Sequence, residues 1–227
     1  MTDGRHRGPS VVLLSGGMDS ATCLALASRD ARPVHALTVR YGQRHDRELR
    51  SAKALARRFS VASHVVLDLP LAPILASALT DPRRRVPSGG VRRASIPSTY
   101  VPARNTILLA LALGCGESRR ARSIYIGANA VDYSGYPDCR PEFLRAFNAL
   151  ARRATKAGVE RNAAPRVVAP LLRMTKADVV RLGERLGVPW EMTWSCYRGG
   201  RRPCGTCDAC RWRAKGFREA GVPDPGA

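Results

Sequence analysis

Four cysteines crowd into fifteen residues near the C-terminus: Cys196, Cys204, Cys207 and Cys210. Two consecutive Cys-x2-Cys steps share Cys207 and, with Cys196, supply the four thiolates that close a tetrahedral zinc site. An iron–sulfur cluster and a redox pair are the other chemistries open to such a group. Pro203 and Gly205 shape the turn that brings three of the sulfurs to one point. A closed shell leaves no position for water, so the metal, one zinc per chain, would be structural. It would fasten an arginine-rich tail that has too little apolar surface to fold alone. Cys23, Cys115 and Cys139 are isolated and read as small buried thiols.

A second chemistry is anion binding. Ser15-Gly16-Gly17-Met18-Asp19-Ser20 follows the apolar run Val11–Leu14 and opens a helical pattern. Backbone amides in such a turn, with the positive end of the helix dipole behind them, form an anion cradle. Ser15 and Ser20 can add hydroxyls, whereas Asp19 would repel phosphate unless it holds a metal or caps the helix. The stretch lacks the Gly-Lys-Ser/Thr ending of the common P-loop and the GxGxxG spacing of dinucleotide folds. A plain turn capped by Asp19 is the alternative. Further on, Pro102 starts an apolar helix with Arg104 in its first turn, where the dipole disfavours a cation. Arg104 therefore answers an anion or swings out to solvent. Gly127 to Arg140 is dense in hydrogen-bonding groups and aromatics. There Asp132 could accept from the N–H edge of a purine while Tyr133 or Tyr136 stacks on the ring. A polar surface loop turning at Tyr136-Pro137 would look the same.

The elements that must position these groups alternate. Val11–Leu14, Val34–Tyr41, Val65–Leu67, Ser123–Gly127 and Val167–Val168 read as short strands. Helical patterns run from Asp19 to Ser28, Asp46 to Phe59, Ala103 to Glu117, Glu142 to Lys156 and Lys176 to Leu186. This alternation predicts an α/β fold with a doubly wound parallel sheet covered on both faces. The helix from Ala103 is apolar nearly all round and is expected to be buried. Residues 80–99, rich in Pro, Gly, Ser and Arg, have no period and are too long for an ordinary connection, which suggests a mobile insertion or lid. The resulting division is a nucleotide-type domain over 9–190 and a zinc-binding tail over 191–220.

The 227 residues, 44% hydrophobic and 25% charged, suit one globular domain with an appendage. No apolar run is long enough to span a membrane, and Met1–Ser10 lacks a secretory apolar core, so the expected location is the cytoplasm. The net charge of +20 raises nucleic-acid binding. Of the 38 basic residues, however, 34 are Arg and they are scattered along the chain, which points to compositional bias rather than a nucleic-acid footprint.

Ser-Gly-Gly-x-Asp-Ser after the first strand resembles the pyrophosphate loop of the PP-loop ATP pyrophosphatases, which cleave ATP between its α and β phosphates. LLSGGMDSAT (13–22), YGQRH (41–45), STYVPARNT (98–106), NAVDYSGYPDCRPEF (129–143), PLLRMTKADVVRLG (170–183) and TWSCY with PCGTCDAC (193–210) together resemble the 7-cyano-7-deazaguanine synthase (QueC) family. The resemblance implies a Rossmann-like, adenine nucleotide alpha hydrolase-like fold, ATP as co-substrate with Mg2+, and a C–N-bond-forming ligase. Carboxylate would be activated as an adenylate, converted by ammonia to the amide, and the amide adenylated again to give the nitrile. It further implies that Leu14, Ser15, Gly16, Gly17, Met18, Asp19 and Ser20 hold the nucleotide. Asp19, Arg104 and Lys176 would serve catalysis, the last two through phosphate contacts. Tyr100, Asn129, Asp132, Tyr133, Tyr136 and Asp138 would face 7-carboxy-7-deazaguanine, in a homodimer.

Overall fold

The computed structural model describes residues 8–88, 96–129 and 136–226. Its five strands are β1 (Ser10–Leu13), β2 (Val34–Arg40), β3 (Ser63–Asp68), β4 (Ser123–Tyr125) and β5 (Arg166–Val168). They form one parallel sheet in the order β3-β2-β1-β4-β5. β1 is central because its apolar run is continuous. Side chains alternate between faces, so Val12 and Leu14 enter one core while Val11 and Leu13 enter the other.

Helices cover both faces. On the first lie α1 (Met18–Asp30), α2 (Arg47–Arg58) and, after β5, a helix over Lys176–Arg185. On the second lie α3 (Arg104–Ser118) and α4 (Pro141–Ala154). After β3 the chain returns to pair β4 on the free edge of β1. The order therefore reverses between β1 and β2 on one side and β4 on the other, and the C-terminal strand ends open a crevice there.

Three local outcomes differ from the sequence reading. α3 is buried on one side only: Leu109, Ala112 and Leu113 are covered, while Thr106, Ala110 and Gly114 face outward, because a single sheet layer lies beneath it. The helix expected to reach Lys156 stops at Ala154. Extended Thr155 donates to the Ala151 carbonyl and caps a separate short helix, α5 (Lys156–Arg161), by accepting from the Gly158 amide. The helix over Lys176–Arg185, α6, begins with a capping box between Thr175 and Asp178. Beyond it the tail carries a further helix, α7 (Asp208–Ala220), which packs against α6 and ends at left-handed Gly221.

Arg213 explains how an arginine-rich helix comes to be buried. Its guanidinium pairs with both oxygens of Asp224 at 2.8 Å, donates to Thr193 Oγ1 at 2.7 Å and lies over the Phe217 ring. Every charge taken from water thus meets a partner. The described parts of the 80–99 stretch are also tied down. Arg44 donates to the carbonyls of Ala78, Asp81 and Arg84, Val86 is buried among the tail cysteines, and Ser88 bridges Cys207. No helix among the described residues is long and apolar enough to cross a membrane.

Candidate active site and metal centre

The loop between β1 and α1 is shaped from within. Ser20 is buried, and its hydroxyl accepts from the amides of Ser15 and Gly16 at 3.2 Å and donates to the Gly17 carbonyl at 3.0 Å. Gly16 has φ +91°, and a Cβ there would overlap the Glu48 carbonyl at the start of α2. Glycine thus serves two needs at once: the left-handed backbone and the close approach of a neighbouring helix. Gly17, not Asp19, occupies the N-cap. Asp19 sits in the first turn and pairs its Oδ2 with Lys176 Nζ at 2.6 Å; its Oδ1 is buried without a partner.

The crevice above the strand ends is a cavity of about 270 Å3. Leu14, Ser15, Gly17, Met18, Asp19 and Ser20 form its floor. Arg104 from α3, Lys176 from α6 and Tyr136 join them, so the structure brings the phosphate loop and both expected cations to one place. Gly16 supports this floor from behind. Arg104 lies 5.8 Å from the centre of the Tyr41 ring. Burial works against its charge, yet the neighbouring Tyr41 and Cys139 hold its pKa above the ordinary arginine value.

Tyr100, Asn129 and Asp138 stand apart from the cavity wall. Tyr100 stacks on Tyr136 with ring centroids 5.9 Å apart, and its hydroxyl accepts from the Ala103 amide. Asn129 is buried. Asp138 is turned inward and accepts from the Asn105 amide at 2.8 Å, which secures the first turn of α3 and hence Arg104. Asp132 and Tyr133 lie outside the described residues.

Sequence reasoning passed over several wall residues. Tyr41, His45 and Glu48 come from the β2–α2 junction, and Trp194 and Trp212 from the tail. YGQRH marked the junction as a motif but assigned no role within it. Glu48, in the first turn of α2, carried no signal beyond its acid type. Burial pushes its carboxyl up to about 7, against the pull of Arg104.

In the tail, the sulfurs of Cys196, Cys204, Cys207 and Cys210 all lie within 4.8 Å of one another. Tetrahedral zinc with Zn–S bonds of about 2.3 Å sets ligand sulfurs about 3.8 Å apart, so this spread fits a single ion. The amides of Arg198 and Cys204 donate to Cys196 Sγ, and that of Cys207 donates to Cys204 Sγ. Such N–H···S bonds favour thiolates; the hydrogen bond with Cys210 holds Cys207 well below the ordinary thiol value, while burial holds Cys196 above it. The cluster adjoins the cleft. The Trp194 amide donates to the Gly16 carbonyl at 3.0 Å, while Trp194 Nε1 and His45 Nε2 both donate to the Cys196 carbonyl at 2.9 Å.

Known proteins match this arrangement along nearly the whole chain. A 7-cyano-7-deazaguanine synthase from Anaeromyxobacter sp. (strain Fw109-5) is 59% identical over 220 residues, covering 95% of this chain and 94% of the relative. One from Ralstonia pickettii (strain 12J) is 54% identical over 218 residues, covering 95% and 96%. Among solved structures, a 4-thiouridine synthetase, in an RNA complex with bound ATP, is 18% identical with a TM-score of 0.51. It covers 94% of this chain and 50% of that one, and the likeness is one of fold. The family described as queuosine biosynthesis protein QueC matches residues 9–221. The chain belongs to the QueC family.

Proposed function

We propose that this chain converts 7-carboxy-7-deazaguanine, ammonia and ATP to 7-cyano-7-deazaguanine, through an adenylated acid and an adenylated amide. The observation that carries the reading is the convergence of the Ser15–Ser20 loop, Lys176 and Arg104 on one crevice at the strand ends. The names of its relatives at 59% and 54% identity support the same substrate class.

The substrate carboxylate attacks the α-phosphorus while pyrophosphate leaves into the loop, where the amides at the head of α1 meet its charge. Arg104 and Lys176 offset the charge that gathers on the phosphates, so this part of catalysis is positioning and electrostatics. The buried, unpartnered Oδ1 of Asp19 suits Mg2+ as a hard oxygen ligand. Bound there, the ion would neutralise phosphate charge. The four tail thiolates suit structural zinc, whose closed shell supplies rigidity rather than chemistry. Tyr136 lines the crevice with Tyr100 stacked on it, and the deazapurine is assigned to that side. The enzyme is assigned to the cytoplasm, as a homodimer.

Mass spectrometry of purified protein with 7-carboxy-7-deazaguanine, ammonium and ATP tests the reading. Nitrile together with AMP is the expected outcome. ADP in place of AMP would remove α-phosphate attack. A crystal soaked with nucleotide that leaves the Ser15–Ser20 turn empty would remove the site assignment.

A further inference from the structure

Making an amide and then a nitrile from ammonium sheds protons at nitrogen in both halves of the reaction. A crevice lined by cations for phosphate needs some other group to receive them. Among the described residues only two carboxylates line it, Asp19 and Glu48. Asp19 pairs its Oδ2 with Lys176, and its Oδ1 is the oxygen assigned above to Mg2+. Lys176 is the cation of that pair, and arginine does not give up its proton. His45 also lines the crevice, but its Nε2 is held by the Cys196 carbonyl and its Nδ1 is sealed from solvent, so ammonium cannot reach the basic nitrogen.

Glu48 differs from all of these. It is half-buried on the crevice wall, with no hydrogen bond or salt bridge to a described residue. The charged and titratable groups that face it are Arg104 from α3 and Tyr41 at the end of β2. Its main chain is pressed against Gly16, so the carboxyl keeps a fixed relation to the phosphate loop. The same burial that leaves it unpaired raises it to about 7, where a carboxyl both accepts and releases a proton near neutral pH.

Resting on the activity proposed above, we propose that Glu48 is the proton acceptor for its nitrogen steps. Ammonium gives one proton to the Glu48 carboxylate, and the freed lone pair forms the C–N bond at the acyl-adenylate carbon. The C–O bond then breaks, and AMP departs with the bonding electrons and the nitrogen's second surplus proton. Glu48 returns its proton to solvent. In the second half the amide oxygen attacks the α-phosphorus, pyrophosphate leaves with its bonding electrons, and Glu48 takes one N–H proton. The last N–H proton departs with AMP as the C–O bond breaks and the nitrile forms.

Glu48→Gln keeps the shape and removes the base. Two readouts separate its effects: substrate-dependent exchange of pyrophosphate into ATP without ammonium, which reports the first adenylation alone, and nitrile formation with ammonium. The expected result is a fall in nitrile formation of about 10²-fold or more with exchange kept within about twofold. Raising the pH, which supplies free ammonia, restores part of the variant's rate, and Glu48→Asp recovers part at neutral pH. Nitrile formation at the wild-type rate would overturn the proposal. So would exchange falling in step with it, since that marks a binding or folding role. Absence of exchange in the wild-type protein would instead remove the parent reading, and this one with it.

Discussion

Replacing Glu48 by Gln should make the unliganded protein more stable at neutral and alkaline pH. The Glu48 carboxyl rises from an ordinary 4.5 to about 7 on folding because burial penalises its charge. Between those values the folded chain holds a proton that the unfolded chain has lost, so stability falls as pH rises through the window. Above about pH 7 the whole penalty is present. At 1.36 kcal/mol per pH unit its ceiling is about 3 kcal/mol. The side chain is only half-buried, and solvent screening reduces this to about 1–2 kcal/mol. A chain of this size gains about 2–4 °C in melting temperature per kcal/mol. Scanning calorimetry at about pH 8 should therefore place Glu48→Gln about 2–8 °C above wild type, with the gap closing near pH 4 where the wild-type carboxyl is protonated in both states. Arg104 and Tyr41 face Glu48 and stay charged and neutral respectively across this range, so neither produces the trend. A variant that melts at or below wild type at pH 8, or a gap that ignores pH, would refute the reasoning. The wild-type carboxyl would then be an exposed group, with no poise for proton transfer.

Gly16→Ala should cost about 1–3 kcal/mol from its positive φ alone, and more from the overlap with the Glu48 carbonyl; loss of ATP binding by calorimetry, with the melting temperature lowered, checks it. Lys176→Ala leaves Asp19 uncompensated beside the phosphates and should lower turnover by about 10²-fold, read as pyrophosphate release; full turnover would take Lys176 out of the site. Asp224→Ala strands the buried Arg213 guanidinium and should destabilise the fold by about 3–5 kcal/mol in chemical denaturation. Cys207→Ser should abolish the binding of one zinc per chain proposed for the cysteine cluster, read by atomic absorption, and weaken nucleotide binding, because the Trp194 contact with Gly16 loosens with the tail.

What could be seen in the sequence follows from where each signal resides. β1 is legible because burial on both faces leaves an unbroken apolar run. The cysteine cluster is legible because its residues stand close together in the chain. α7 is not, since its buried face includes Arg213, which is admitted only by Asp224, Thr193 and the Trp190 carbonyl supplied from elsewhere. Glu48 is hidden for the same reason: its poise depends on Gly16, Tyr41 and Arg104 reaching it from three other segments. Asp138 shows the converse, a polar residue in a ligand-like stretch whose carboxylate finds the Asn105 amide instead.

The tail and the phosphate loop are two ends of one short connection. Cys196 contributes a sulfur to the cysteine cluster and a carbonyl to both Trp194 Nε1 and His45 Nε2. Two residues earlier the Trp194 amide holds the carbonyl of Gly16, and Arg47 lies 5.3 Å above the Trp194 ring. Fixing the cysteine sulfurs around an ion therefore fixes the wall against which the loop rests. Gly16 cannot relax the other way, because the Glu48 carbonyl occupies the space a Cβ would take. The loop is clamped between α2 and the tail, and each clamp is secured by a group far from it in sequence. A metal held by these sulfurs would in this way set the geometry of the loop without touching substrate, and by linkage a nucleotide that favours the clamped loop would favour the bound metal in equal measure.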